Sequence, residues 1–204
     1  MEFWNDMATD KSWQALLKIS KQFKFILIGG WACYLHTKTI KSKDIDLIAD
    51  FDCLEEIKKN FALRKNDRLK KYETIVDDVS VDIYVPFYSK FAIDLKEMEK
   101  NSEKIEGFTV PKPEILLILK QQAEFAREKS TKGQKDRVDI LNILMKSRPD
   151  MKKYKKLLEK YNLQEYSKRL KKIIITAKKE FEYLGIANPR EIKLQKKKLI
   201  GLIE

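Results

Sequence analysis

Two aspartates have the side-chain type and spacing that a divalent cation needs. Asp44 and Asp46 alternate with Ile45 and Leu47 in the segment KDIDLIAD. Successive side chains of a β-strand point to opposite faces, so both carboxylates share one face. Carboxylates this close repel each other, and the hard cations Mg²⁺ and Mn²⁺ relieve that repulsion. Taken alone, an Asp-x-Asp pair is also typical of a solvated strand face.

A third aspartate, Asp82, interrupts the strongly β-forming segment VSVDIYVP. It shares a face with Ser80 and Tyr84, while the valines and the isoleucine of the segment form the opposite, apolar face. If this strand neighbours the first one, three carboxylates meet and can hold one or two magnesium ions for phosphoryl chemistry. The alternative is a half-exposed strand with a polar outer face.

Gly29 and Gly30 stand between the apolar run KFILI and the predicted helix WACYLH. Glycines at such a junction let the backbone approach a phosphate, and the helix start offers free N–H groups. The alternative is a simple tight turn. No Gly-Lys-Ser/Thr follows, so this is not a Walker phosphate-binding loop.

The second half of the chain carries its own candidate residues. Lys120 ends the apolar run ILLILK, and Lys135, Asp136 and Asp139 follow on the next predicted helix. A lysine on an apolar stripe must reach solvent, meet an acid or bind a ligand. Two interpretations therefore stay open for Lys120, namely extension to solvent and contact with an anionic substrate.

The elements that position these residues fall into two halves. Over residues 1–108 the pattern predicts a strand, a helix, a strand, a helix and a hairpin that turns near Asp77 and Asp78, which describes a small mixed sheet backed by helices. The proline-containing segment FTVPKPE then leads into residues 109–204, where nearly every pattern is helical. We therefore expect an α+β fold, with a small mixed sheet domain followed by a helical bundle.

Composition narrows the class of protein. The net charge of +12 favours polyanionic partners such as RNA or nucleotides, although a lysine-rich proteome explains it equally well. Two cysteines outside a Cys-x-x-Cys pair and a single histidine argue against a zinc site. The chain shows no signal peptide and no apolar run long enough to cross a membrane, so we expect a cytoplasmic protein with reduced thiols.

The run GGWACYLHTKTIKSKDIDLIAD resembles the first motif of nucleotidyltransferases of the DNA polymerase beta superfamily. Asp82 matches the third aspartate of that family, and Ser42 matches a hydroxyl residue that precedes its Asp-x-Asp. The resemblance is strongest to the small antibiotic-type and abortive-infection toxin branch and to archaeal members. One departure is Ile40, where many relatives carry arginine, which leaves Lys41 or Lys38 as the substitute.

The resemblance implies attack of an acceptor hydroxyl on the α-phosphate of an NTP with the help of Mg²⁺ or Mn²⁺. Its metal and catalytic residues fall on Asp44, Asp46 and Asp82. Its phosphate contacts fall on Gly29, Gly30 and Ser42. Its helical region carries a similar lysine and a Lys-Asp-x-x-Asp-Ile run, which places Lys120, Lys135 and Asp136 in the substrate site.

Two classes of function remain open at this point. In the first, the chain is an enzyme whose acceptor is tRNA or another RNA, a protein or a small molecule, and the positive charge favours RNA. In the second, it is a non-catalytic module that binds nucleic acid or a protein partner, for example within a toxin–antitoxin pair. The sequence fixes neither the acceptor nor the oligomeric state.

Overall fold

Asp46 and Asp82 belong to a mixed sheet of seven strands in the N-terminal part of the chain. In the computed structural model, which describes residues 5–204, one compact unit ends at Pro111 and the other begins at Lys112. The strands are β1 (Ile26–Ile28), β2 (Ile45–Ile48), β3 (Arg64–Asn66), β4 (Lys71–Val76), β5 (Val79–Tyr84), β6 (Ser102–Ile105) and β7 (Phe108–Pro111). Their order across the sheet is β3-β4-β5-β2-β1-β7-β6.

Four helices accompany this sheet. Asn5, Asp50 and Asp94 start three of them, because each side chain accepts a hydrogen bond from a backbone N–H of the first helical turn. The helices are α1 (Asp6–Ser20), α2 (Gly29–Thr37), α3 (Phe51–Asn60) and α4 (Leu95–Lys100). The apolar strand positions Leu27, Leu47 and Ile83 are fully buried, so the polar strand positions are left to the other face of the sheet.

The C-terminal unit consists of helices. Pro113 occupies the first turn of its opening helix, where a missing N–H costs nothing. The helices are α5 (Pro113–Ala126), α6 (Thr131–Asn142), a π-helical turn (Ile143–Ser147), α7 (Met151–Lys160), α8 (Glu165–Thr176), α9 (Lys179–Tyr183) and α10 (Pro189–Ile203). None of the helices in the described part of the chain is long and apolar enough to cross a membrane.

The predicted α+β class is confirmed, and so is the hairpin. Asp77 and Asp78 join β4 to β5 with φ angles of 50° and 66°, as a two-residue hairpin turn requires. The pattern did not reveal β3, α4, β6 or β7. β7 pairs in parallel with β1, so the N-terminal unit extends just past residue 108, where the sequence changes character. In the C-terminal unit, the helical pattern over residues 163–185 forms two helices, α8 and α9, because the backbone of Ala177 is extended.

Candidate active site

A row of polar side chains crosses the sheet at the level of Asp46. Asp46 lies directly opposite Asp82, because β2 and β5 are parallel neighbours in this register. On the antiparallel strand β4, Glu73 lies opposite Asp82, and Arg64 of β3 lies opposite Glu73. Opposed residues of neighbouring strands point to the same face with their Cβ atoms about 5 Å apart. The structure therefore brings Asp46 and Asp82 together on one face.

Asp44 lies just before β2 and completes the acidic group. It is half-buried, like Asp46 and Asp82. Burial raises the pKa of the Asp82 carboxyl, and the negative charges of Glu73 and Asp44 raise that pKa further, although the ammonium group of Lys71 opposes them. The charge of Asp44 is thus felt at Asp82, as expected for members of one cluster.

Gly29 is required by the position of Asp46. Its φ of +68° belongs to the left-handed region, and a Cβ at this position would lie 2.1 Å from Oδ2 of Asp46. Gly29 and Gly30 are the first residues of α2, and no side chain of the described residues caps this helix at Ile28. The glycine turn therefore sets the start of α2, with its N–H groups and positive dipole end, against a carboxylate of the acidic row.

Lys71 is a member of the site that the sequence motifs did not identify. Its Nζ lies 2.6 Å from Oδ2 of Asp82 and 3.0 Å from Oε1 of Glu73, and the residue is only 8% exposed. Burial lowers the pKa of Lys71, but hydrogen bonds and charge from Asp82 and Glu73 outweigh it, so the net pKa is raised and the ammonium group stays protonated. The sequence did contain a signal for Lys71. Side chains alternate along KYETIV, so Lys71 and Glu73 share a face, and the hairpin pairs this strand with the strand of Asp82.

The donor set fits a hard divalent cation, although an ammonium group is bonded to it here. Among residues 5–204, no three His, Cys, Asp or Glu side chains are arranged as a ready metal-binding group. Lys71 is bonded to Asp82 instead. Carboxylate oxygens are the ligands that Mg²⁺ and Mn²⁺ prefer. Because Asp46 and Asp82 share a face and the charge of Asp44 acts on Asp82, these three residues could hold such an ion.

The connector before β2 holds the remaining predicted phosphate contacts. Ser42 is buried within it. Lys41, a candidate for the missing arginine, forms an exposed ion pair with Asp10 at 2.7 Å. Lys38, the other candidate, is paired with Glu106. Both lysines therefore have protein partners in this structure.

The aromatic residues and the histidine of α2 are engaged in packing. Trp31 is fully buried, donates a 2.8 Å hydrogen bond from Nε1 to Oγ of Ser12, and contacts the rings of Trp13 and Tyr34. Nε2 of His36 lies 2.8 Å from the carbonyl oxygen of Pro111. The ring of Trp31 is therefore enclosed in the core and is not available to stack on a base.

The predicted residues of the second half meet in a buried charge network within the C-terminal unit. Nζ of Lys120 lies 2.7 Å from Asp139 and 3.3 Å from Asp136, while Lys135 bonds to Asp139 at 3.1 Å. Arg127 donates from Nε and Nη2 to both oxygens of Asp136, at 2.7 and 3.0 Å. Burial raises the pKa of Asp139, but the charges of Lys120 and Lys135 reverse the direction and hold that pKa below its usual value. Extension of Lys120 to solvent is therefore wrong, because its ammonium group is buried against acids.

Comparison with known proteins decides the family. Residues 7–183 match the family described as nucleotidyltransferase of unknown function (DUF6036). The chain belongs to this nucleotidyltransferase family. No curated protein matches it by sequence.

Solved structures of low sequence identity share the fold of this family member. JHP933 of Helicobacter pylori aligns with a TM-score of 0.52 at 17% identity, covering 97% of this chain and 95% of that one. ANT(2")-Ia, solved in complex with adenylyl-2"-tobramycin, aligns with a TM-score of 0.52 at 14% identity, covering 76% and 98%. At these identities the likeness concerns the fold, and it confirms the nucleotidyltransferase architecture expected from the sequence.

Proposed function

We propose that this nucleotidyltransferase moves a nucleoside monophosphate from an NTP to an acceptor hydroxyl, using Mg²⁺ or Mn²⁺. The observation that carries the proposal is the register of the parallel strands, which sets Asp46 opposite Asp82. The glycine turn at Gly29 lies against Asp46 and supplies a helix start suited to phosphate. Carboxylates and a phosphate-binding turn are the two parts that phosphoryl transfer requires.

Each carboxylate has a separate task in this proposal. Asp44 and Asp46 would hold the cation that accompanies the triphosphate, and all three aspartates would hold the cation that activates the acceptor. A bound divalent cation would offset the charge of the triphosphate and lower the pKa of the acceptor hydroxyl. Asp82 is suited to receive the hydroxyl proton, because burial and its acidic neighbours raise the pKa of its carboxyl.

In this proposal, the backbone N–H groups at Gly29 and Gly30 and the hydroxyl of Ser42 contact the phosphates. For Lys120, Lys135 and Asp136, nucleotide binding stays a prediction, and their ion pairs give each a structural part within the C-terminal unit. We place the enzyme in the cytoplasm and take RNA as the preferred acceptor, since the net charge of +12 favours polyanions.

One observation favours a non-catalytic alternative. Lys71 already neutralises Asp82, as an ammonium group would in a fold that has lost its metal and kept only a binding role for nucleic acid or a protein partner. Against it stands the clustering of acids, because Asp82 lies directly opposite Asp46 and Glu73 and the charge of Asp44 acts on it. Unneeded carboxylates in such a row reduce stability.

The deciding experiment offers each α-labelled NTP in turn, with Mg²⁺ or Mn²⁺, to pools of RNA, protein and small molecules. We expect one pool to acquire label with the wild type and none with Asp46→Asn or Asp82→Asn. The matched control is Asp52→Asn, which changes an exposed acid of the same unit and should retain transfer. Transfer that persists in the Asp46 and Asp82 variants would refute the site, and absence of label from every pool would favour the binding module.

A further inference from the structure

The turn that follows β5 presents a fully exposed phenyl ring. Phe87 is 100% exposed and has a φ of +62°, and the N–H of Tyr88 bonds to the carbonyl oxygen of Pro86 around it at 2.7 Å. This is a γ-turn with a positive φ, a strained conformation for a bulky side chain. Both the exposure and the backbone strain reduce folding stability. Stability therefore does not explain a phenylalanine at position 87, and a role outside folding does.

A basic turn lies beside this ring. The segment RKNDRLKK, which comprises β3, the turn after it and the first residue of β4, contains five basic residues and one acid. Hydrogen bonds from two side chains fix it to the turn after β5. The hydroxyl of Tyr88 lies 3.0 Å from both the carbonyl oxygen of Asn66 and Oδ1 of Asp67, which share its single proton, and Oγ of Ser89 donates to the carbonyl oxygen of Lys70 at 2.7 Å.

Lysine side chains also cover the neighbouring tyrosine. Nζ of Lys65 lies 4.8 Å and Nζ of Lys70 5.3 Å from the centre of the Tyr88 ring. Arg68 is exposed on the same turn. We define the basic–aromatic surface as Lys65, Arg68, Lys70, Phe87 and Tyr88.

This surface adjoins the acidic row. Tyr84 is two residues after Asp82 on β5, so it shares the face of that carboxylate, and its ring packs against Phe91 with centres 5.2 Å apart. Phe87 follows Asp82 by five positions, a span of at most about 18 Å. A polymer held on Phe87 could therefore reach the carboxylates with a nearby unit.

We propose that the basic–aromatic surface binds single-stranded nucleic acid, with a base stacked on Phe87 and phosphates on Lys65, Arg68 and Lys70. Exposed rings interleaved with cations are the means by which proteins hold single strands without reading sequence. An acidic peptide would use the cations but leaves the exposed ring unexplained, and a paired duplex offers no free base face. Binding of the nucleic acid does not depend on the proposed function. Only the further step, in which the bound nucleic acid is the acceptor, rests on that function.

Binding can be measured without catalysis. The probe is a fluorescein-labelled single-stranded RNA of about 12 nucleotides, a length within the usual range for such sites. Its anisotropy is followed with the full chain in EDTA, for the wild type, Phe87→Ala and Phe87→Gly. We expect both variants to bind about tenfold more weakly, as loss of one stacked base implies. Phe87→Gly also relieves the positive φ, so its loss of binding could not come from a destabilised turn.

A second variant set tests the cations. The double variant Lys65→Gln/Lys70→Gln should flatten the slope of log affinity against log salt by about 1.4, because single strands contribute about 0.7 per neutralised phosphate. Ile75→Ala is the matched control for an exposed apolar side chain, and Lys58→Gln/Lys104→Gln is the control for charge. Both controls should bind like the wild type.

The proposal and the proposed function can fail separately. Asp44→Ala/Asp46→Ala should bind the RNA but transfer no label, and RNA binding that depends on Phe87 in a chain without transferase activity would uphold this inference alone. Equal affinity of wild type and both Phe87 variants would overturn it, as would a matching RNA duplex that binds as tightly as the single strand. A DNA strand of the same sequence shows whether the 2′-hydroxyl contributes.

Discussion

Replacing Lys71 with methionine removes the ammonium group bonded to Asp82 while keeping most of the side-chain volume. In the wild type, contacts of 2.6 Å to Asp82 and 3.0 Å to Glu73 offset the repulsion along the acidic row. Without Lys71, Asp82 faces Asp46 on one side and Glu73 on the other, each directly opposite it in the sheet. Without metal, Lys71→Met should therefore be less stable than the wild type, and it should bind a divalent cation more tightly than the wild type does.

The magnitude follows from the geometry of the row. Opposed side chains lie about 5 Å apart, where two unit charges repel by about 3 kcal/mol at an effective dielectric constant of about 20. Removing one partner of a fully buried ion pair costs about 3–5 kcal/mol. The Asp82 side chain is 22% exposed, so water screens part of this effect. We expect a loss of about 2–3 kcal/mol in the free energy of unfolding, between these bounds and the value of an exposed pair.

The same free energy sets the change in metal affinity. A divalent cation must displace Lys71 in the wild type but not in the variant, and about 2 kcal/mol corresponds to about a thirtyfold change in affinity. Urea unfolding in EDTA measures the stability, and the electron paramagnetic resonance signal of free Mn²⁺ measures the binding. Lys104→Met, on an exposed position of β6, is the matched control and should change neither quantity. Unchanged stability together with unchanged Mn²⁺ affinity in Lys71→Met would refute the reasoning.

Three further predictions test the packing around the site and in the C-terminal unit. Gly29→Ala and Gly107→Ala both place alanine at a positive φ, which costs about 1–2 kcal/mol, but only Gly29→Ala also clashes with a carboxylate. Nucleotidyl transfer should therefore be lost in Gly29→Ala and retained in Gly107→Ala, and equal activity of the two variants would contradict this. Asp136→Asn removes a buried carboxylate charge that pairs with Arg127 and Lys120, so it should lower the free energy of unfolding by about 3–5 kcal/mol in urea titrations. Asp77→Asn, in an exposed pair, should lower it by less than about 1 kcal/mol. Burial raises the pKa of the Cys53 thiol to about 11. At pH 8 the native protein should therefore be alkylated at Cys53 about a hundredfold more slowly than the urea-unfolded protein, as measured by mass spectrometry. Equal rates would show that the thiol is accessible.

Local patterns were sufficient for the elements that carry the three predicted aspartates. Alternation placed Asp44 and Asp46 on one strand face and Asp82 on the polar face of another, because a two-residue period survives in any half-buried strand. The segment at residues 95–111 escaped detection, because β6 is an edge strand of mostly polar residues and the pairing of β7 with β1 joins parts of the chain far apart. A pairing between distant segments produces no periodic pattern of residue types in the local sequence.

The sequence by itself determined the α+β class, the likeness to nucleotidyltransferases and the identity of the acidic residues, because residue type, spacing and periodicity are local properties. Only the tertiary structure decided that Asp82 stands opposite Asp46, that Lys71 and Glu73 join them, and that Lys120 is buried against Asp136 and Asp139. These relations depend on strand order, register and helix packing. These contacts form only when the chain folds, because the residues that make them come from separate segments.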